Sequence, residues 1–116
     1  IISGGTNQAV KSRLAALGIE DIYLGAHDKI KQYQEIIEKY NLQADNILYM
    51  GDDIPDLPVM TKVGLSCCPN DAVPEIQQIS KYISNKKGGE GCVRDVIEQV
   101  LKVQGNWVAK SDAKFD

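Results

Sequence analysis

Three carboxylates stand close together in the stretch MGDDIPDLPVM, residues 50–60: Asp52, Asp53 and Asp56. They come directly after the apolar run ILYM, which is typical of a buried strand. Two unit charges about 4 Å apart repel by roughly 4 kcal/mol at an effective dielectric near 20. The sequence therefore predicts that water, a cation or basic side chains lie close to this cluster.

Helical periodicity and short apolar runs alternate along the chain. Strands are predicted at the opening IISGG and in IYLG, NILYMG, VGLSCC and KYIS. Helices are predicted over residues 6–18, 28–41, 55–62, 71–80 and 92–103, where apolar residues recur at helical spacing or turn residues mark the ends. This alternation predicts the α/β class, with a doubly wound parallel sheet of Rossmann-like type.

Polar segments follow three of the predicted strands. They are Ser3-Gly4-Gly5, the loop at residues 25–29 and the segment at residues 51–56. In a parallel sheet, functional groups gather in the loops at the carboxyl ends of the strands. We therefore expect the acids to share one rim with a hydroxyl and a lysine.

The acid cluster has a functional and a structural interpretation. Asp52 would project from the rim after a turn at Gly51, where it suits a hard cation such as Mg²⁺. Asp53 and Asp56 are three apart, so they can lie on one side of a helix start and hold Lys29 or order metal-bound waters. The alternative is helix capping ahead of Pro55, which accounts for one or two of the acids.

The hydroxyl, the lysine and the arginines also allow two interpretations each. Ser3 and Gly4 would cradle a phosphate at a helix start, or Ser3 is a plain N-cap. Lys29 opens a helix, where a lysine is unfavourable against the dipole, which favours anion binding over a solvated surface position. Arg13 and Arg94 are either helix-surface residues or ligands of a phosphate or carboxylate group.

Composition bounds the remaining possibilities. The 116 residues (12.8 kDa) make one domain, and a net charge of −3 argues against a nucleic-acid partner. No apolar run approaches the ~20 residues of a membrane span. Three cysteines without disulfide or zinc spacing predict a cytoplasmic protein with buried thiols. The lone His27 is typical of a loop or capping residue rather than a base.

Taken in order, these segments resemble the haloacid dehalogenase superfamily of phosphohydrolases. Ser3-Gly4 is similar to its second motif, in which a strand-end hydroxyl binds the transferring phosphoryl group. Lys29 is similar to the third motif, a lysine that neutralises that group. GDDIPD is similar to the fourth, which implies Asp52 as the Mg²⁺ ligand and Asp53 and Asp56 as supporting acids.

The segments GAHDK, YMGDDIPDLPVM, VGLSCCPNDAVPEI and GGEGCVRDVIEQVL further resemble the capless branch typified by 3-deoxy-D-manno-octulosonate (KDO) 8-phosphate phosphatases. The resemblance implies Mg²⁺-dependent hydrolysis of that sugar phosphate through an aspartyl-phosphate, in lipopolysaccharide precursor synthesis. It implies substrate contact by Arg13 and a homotetramer in which a neighbouring subunit closes each site. It extends to about Val103, which makes residues 1–103 the phosphatase domain and 104–116 a tail.

Departures from the family pattern keep alternatives open. Gly5 replaces a frequent Arg, and Gly5 with Ala16 disfavours a nine-carbon ulosonate 9-phosphate as substrate. The first motif, DxDG, supplies the nucleophile and the general acid/base. We expect it upstream of Ile1, on a strand and crossover of at least ~30 residues. The alternatives are a nine-carbon ulosonate phosphatase and a catalytically silent assembly module of the same fold.

Overall fold

Short apolar runs in the middle of the chain form a parallel sheet. In a computed structural model that describes residues 1–108, three strands lie in the order β1 (Leu48–Met50), β2 (Leu65–Cys68) and β3 (Tyr82–Ile83). Tyr49 lies opposite Ser66 in the first pair, and Cys67 lies opposite Tyr82 in the second. The predicted parallel α/β fold is thus confirmed.

Helices connect and flank these strands. They are α1 (Gln8–Ala16), α2 (Lys29–Tyr40), α3 (Leu57–Met60), α4 (Pro74–Ile79) and α5 (Cys92–Val103). Two 3₁₀ turns, Ala44–Asn46 and Ile54–Asp56, precede β1 and α3. Pro55 lies in the first turn of the second of these, as predicted from its fixed φ and missing N–H. The predicted last helix coincides with α5.

The two faces of the sheet are covered by different helices. Successive strand residues point to opposite faces. Cys68 packs with Met60 of α3 and Ile76 of α4, both almost fully buried. Leu65 instead lines a groove with Val96 of α5. Helices on both faces are what a doubly wound sheet requires.

A second apolar cluster fixes α2 against α3. Its buried members are Tyr33, Val59 and Val63, with Ile30 and Ile37 packed against them. Burying a side chain of this size stabilises the fold by roughly 1.5–3 kcal/mol. The first turn of α2 is therefore held close to the segment that follows β1.

The amino-terminal region departs from the predicted pattern. The strands expected at residues 1–5 and 22–25 are reduced to one parallel bridge between Ile2 and Tyr23. The chain leaves the extended conformation at Gly25, whose φ is +63°, so the pairing ends there. The apolar stripe of α1 is also not buried, since Val10 and Leu17 are exposed.

The cysteines, the carboxyl-terminal segment and the helix lengths can also be compared with the sequence-based expectations. All three cysteines are buried and free, which agrees with the prediction. Of the predicted tail, residues 104–108 are described and Trp107 is half-buried; residues 109–116 lie outside the described part. Among residues 1–108, no helix is long and apolar enough to cross a membrane.

Candidate active site

The candidate site begins where β1 ends, at Gly51. A Cβ added to Gly51 would lie 2.5 Å from the Cβ of Asp56, far inside van der Waals contact. Gly51 does not have a positive φ, so the reason for glycine is close approach and not the sharp turn expected from sequence. Only glycine lets the Asp56 side chain fold back against the end of the strand.

Asp56 is the centre of the site, and it is only 3% exposed. Its Oδ1 accepts hydrogen bonds from the Lys29 Nζ and the Tyr49 hydroxyl, each at 2.8 Å. Its Oδ2 accepts from the backbone amides of Asp52 (3.0 Å) and Asp53 (3.3 Å). Both carboxylate oxygens are therefore satisfied, as a buried charge requires.

The hydrogen bonds decide the protonation state of this carboxylate. Burial by itself raises the pKa of Asp56, but the bonds from Lys29, Tyr49 and the Asp52 amide outweigh it, and the net pKa is lowered. Burial, followed by the bond to Asp56, raises the pKa of Tyr49. Asp56 is thus an anion at neutral pH, and Tyr49 is a neutral hydrogen-bond donor.

Lys29 is the first residue of α2, as the sequence predicted. Its side chain is 15% exposed, and the Asp56 carboxylate offsets its unfavourable position at the positive end of the helix dipole. An ammonium group has three donors, and one of them points to Asp56. The predicted neighbourhood of a lysine and the acid cluster is confirmed for Asp56.

The other two acids are exposed and differ from each other. Asp53 caps the 3₁₀ turn: its carboxylate accepts from the Ile54 amide at 2.8 Å, and it shares a capping box with Asp56. This is the capping alternative, and a catalytic role for Asp53 stays a prediction. The Asp52 carboxylate accepts no hydrogen bond from residues 1–108, and Asp52 lines the adjacent cleft.

Mg²⁺ is the predicted cofactor, so the side chains that could bind it decide whether the site fits this ion. The described residues contain no group of three or more acidic, histidine or cysteine side chains that would hold a metal ion. Mg²⁺ does not need such a cage, because it binds through one or two carboxylates and keeps several waters and phosphate oxygens. The unpaired Asp52 carboxylate at the cleft fits that kind of binding.

Ser3 and Gly4 lie beside the loop that leads into α2. The Ser3 carbonyl accepts from the Ala26 amide at 2.9 Å, and the Ser3 hydroxyl accepts from the Gly5 amide at 3.1 Å. Ser3 and Lys29 are thus attached to opposite ends of one short loop. Their shared phosphate-binding role stays a prediction.

The predicted arginines are not among the residues that line the cleft. Arg13 lies exposed on α1, and Arg94 lies exposed on α5. His27 is exposed in the loop before α2. The substrate contact expected for Arg13 stays a prediction.

A cleft of about 610 Å³ opens beside β1. Its lining residues come from both ends of the described chain and from its centre: Ile1, Ile2, Lys29, Tyr33, Ile36, Leu42, Ile47, Leu48, Tyr49, Met50, Gly51, Asp52, Asp56, Pro69, Gly88, Gly89, Cys92 and Val93. The cleft thus joins apolar walls to the polar rim formed by Lys29, Asp52 and Asp56.

The cleft runs along an unpaired strand edge. Bonds from Leu65 to Ile47 and from Gly51 to Cys67 direct alternate residues of β1 to β2. The backbone groups of Leu48 and Met50 therefore point the other way. The buried hydroxyl of Tyr33, which also lines the cleft, has no hydrogen-bond partner among the described residues.

Sequence reasoning missed site roles for Tyr33 and Tyr49; Gly88 and Gly89 also line the cleft. The sequence does contain an indication of the position of Tyr49. Tyr49 lies on a strand two residues before Gly51, so its side chain points to the sheet face on which the residues after the turn lie. Tyr33 lies on the apolar face of α2, a pattern that indicates a core residue.

The parallel sheet with helices on both faces agrees with a known family of hydrolases. A family model for haloacid dehalogenase-like hydrolases matches residues 10–97. This chain belongs to that family.

Particular relatives share most of this chain. The 3-deoxy-D-manno-octulosonate 8-phosphate phosphatase of Escherichia coli K12 is 39% identical over 105 residues, which are 90% of this chain and 56% of that protein. The chain therefore spans about half the length of the curated relatives it matches.

Solved structures agree with this relationship. The crystal structure of the enzyme of the same name from Yersinia pestis superposes with a TM-score of 0.89 at 37% identity, covering 91% of this chain and 57% of that one. The Moraxella catarrhalis enzyme, in complex with magnesium ion, phosphate ion and KDO, gives a TM-score of 0.88 at 34% identity, covering 92% and 62%.

Proposed function

We propose that this chain forms the larger part of a Mg²⁺-dependent phosphatase that hydrolyses KDO 8-phosphate to KDO and phosphate. The observation that carries the proposal is the rim at which Lys29, paired with Asp56, and the unpaired Asp52 line one cleft. The identity with phosphatases of that substrate supports the sugar phosphate.

Each rim residue has a role in this proposal. Asp52 would hold the metal, which supplies Lewis-acid stabilisation of phosphoryl oxygens when bound. The Lys29 ammonium and the Ser3 hydroxyl would bind the equatorial oxygens of the phosphoryl group, since phosphoryl transfer depends on positioning and charge. Asp56 would hold Lys29, and Asp53 would fix the turn that presents Asp52. Arg13, exposed on α1, would contact the sugar, as the resemblance implies.

The nucleophile is proposed to come from a strand that occupies the cleft. A strand between Ile2 and β1 would pair with the open edge at Leu48 and Met50. It would also offer backbone groups to the Tyr33 hydroxyl. The carboxyl end of that strand would deliver a DxDG aspartate to the rim, where it would form an aspartyl-phosphate.

The assembly and the location are also proposals. A cytoplasmic homotetramer of domains formed by residues 1–103 follows from the resemblance. The exposed apolar residues Val93, Ile97 and Val103 of α5 support an interface on that helix. Light scattering after size-exclusion chromatography measures the subunit number directly, and a monomer at micromolar concentration would contradict the tetramer.

The test is phosphate release by the full-length protein. KDO 8-phosphate is expected to be hydrolysed with Mg²⁺ and not with excess chelator, and faster than a nine-carbon ulosonate 9-phosphate. Faster hydrolysis of the nine-carbon ulosonate 9-phosphate would change the proposed substrate but would leave the proposed phosphatase reaction in place. No release from either, by a folded protein with bound Mg²⁺, would favour the silent assembly module.

A further inference from the structure

Tyr49 joins the sheet to the ion pair of the candidate site. It is the middle residue of β1, and its hydroxyl lies 2.8 Å from Asp56 Oδ1. The same oxygen accepts the Lys29 ammonium at 2.8 Å. Two donors from different elements therefore converge on one carboxylate oxygen.

The two sides of the Asp56 carboxylate are held differently. Backbone amides of the turn hold Oδ2, and these amides move with Asp56 itself. Among residues 1–108, two side chains hold Oδ1, one from β1 and one from α2. The Tyr49 hydroxyl thus connects Oδ1 of Asp56 to strand β1.

We propose that Tyr49 is a positioning residue: its hydroxyl fixes the Asp56 carboxylate so that the Lys29 ammonium keeps one place at the cleft. There the two remaining N–H donors of Lys29 meet a phosphoryl group. The identity of that group rests on the proposed function, but the positioning of Lys29 does not.

The ring and the hydroxyl of Tyr49 have separable roles. The ring packs against both apolar clusters, so removal of the whole side chain would disturb the core. Tyr49→Phe keeps the ring and removes only the donor. A matched control exists on β3, where the Tyr82 hydroxyl donates to Asp95 Oδ2 at 2.7 Å. Tyr82→Phe removes the same kind of bond outside the residues that line the cleft.

The experiment measures the place of Lys29 without relying on activity. Folded full-length protein is pulsed with acetic anhydride, and the acetylated fraction at Lys29 is read from its peptide by mass spectrometry, with exposed Lys31 as the internal reference. Tyr49→Phe is expected to raise the labelling rate of Lys29 about fivefold, the effect of one lost hydrogen bond. Tyr82→Phe should leave that rate unchanged.

A double variant tests whether Tyr49 acts through Asp56. In an Asp56→Asn background, Lys29 is already released, so adding Tyr49→Phe should change its labelling no further. Additive effects of the two changes would overturn the proposal. So would equal labelling of Lys29 in the wild type and in Tyr49→Phe, provided that the circular dichroism of both is the same.

Kinetics give a second, separate readout. Tyr49→Phe is expected to lower kcat about tenfold with little change in KM, because a displaced ammonium binds the ground state nearly as well as before but meets the transition state poorly. A wild-type protein that releases no phosphate would reject the proposed function, while the labelling result would still decide the positioning role. If Tyr49→Phe labels faster at Lys29 but keeps the wild-type kcat, Tyr49 has a structural role only, and its proposed part in catalysis is overturned.

Discussion

Helix α2 carries a Lys–Asp–Tyr cluster at each end, and the two differ in burial. At its start, Asp56 accepts bonds from Lys29 and Tyr49; at its end, Asp21 accepts bonds from Lys39 and the Tyr40 hydroxyl. The side chains of Lys29 and Asp56 are 15% and 4% exposed. Those of Lys39 and Asp21 are 55% and 23% exposed.

The two clusters contain the same residue types, so the difference in their solvent exposure decides how much each contributes to stability and whether its lysine can bind a ligand. Water screens the exposed pair and competes for its donors, so its contribution to stability is small. The buried pair must remain complete, because a lone charge there has no solvent to replace its partner. The buried cluster lines a cleft, where its cation has donors left for a ligand.

The largest expected effect comes from removing the buried cation. Lys29→Met should lower the free energy of unfolding by about 3 kcal/mol, since it leaves Asp56 buried without its ion pair. Under the proposed function, kcat should also fall by about 10²–10³-fold, as for the loss of one charge-stabilising donor. Urea unfolding and phosphate release measure the two effects. Lys39→Met is the control, and an equal loss of stability there would remove the distinction between the clusters.

The pH dependence of the same variant sharpens the contrast. In the wild type the lowered pKa of Asp56 stabilises the fold above the unfolded carboxyl pKa near 4, and this stabilisation is lost as the pH falls through the folded pKa. Without Lys29, burial is expected to raise that pKa, so the variant loses stability as the pH rises above about 4. The difference in unfolding free energy between the two proteins should therefore shrink from pH 7 to pH 3. A difference that is constant with pH would contradict the buried charge.

A steric change breaks the buried cluster without altering its charges. Gly51→Ala places a methyl group 2.5 Å from the Cβ of Asp56 and should destabilise the protein by about 1–3 kcal/mol. Gly88→Ala is the control, because the nearest atom to its new Cβ, Asp71 Oδ1, lies at 3.5 Å. Thermal unfolding of both variants gives the comparison. Equal unfolding midpoints of Gly51→Ala and Gly88→Ala would mean that the turn after β1 can shift to accommodate the added methyl group at little cost.

The smallest effect is expected from the hydroxyl groups. Tyr49→Phe should lower the unfolding free energy by about 1 kcal/mol, the net value of one hydrogen bond to a buried partner. Tyr40→Phe removes the corresponding group from the exposed cluster, where water replaces it, and should change the unfolding midpoint much less. Unfolding curves at low and high salt test the same contrast. Salt screens charges that are in contact with solvent, so it should weaken the exposed cluster more than the buried one.

Much of the framework follows from local sequence. The alternation of apolar runs and helical periods was enough to predict the parallel α/β class, the position of α5 and the placement of the acids directly after a strand. The mismatch of Lys29 with the helix dipole favoured anion binding, which stays a prediction, and the structure pairs Lys29 with the Asp56 carboxylate at 2.8 Å. These features depend on neighbours within a few residues or on the fixed geometry of parallel strands.

The tertiary structure decided which hydrogen-bond partners each acid has. The spacing of Asp52, Asp53 and Asp56 is compatible with capping, metal binding or ion pairing for any of them. The approach of α2, fixed by the packing of Tyr33 on Val59, brings Lys29 to Asp56 and leaves Asp52 unpaired at the cleft. The role of Tyr49 and the need for glycine at position 51 also depend on contacts made only after the chain has folded back. Sequence alone determined the kinds of groups at the rim, whereas long-range packing determined their partners, because burial and contact distance are properties of the folded chain.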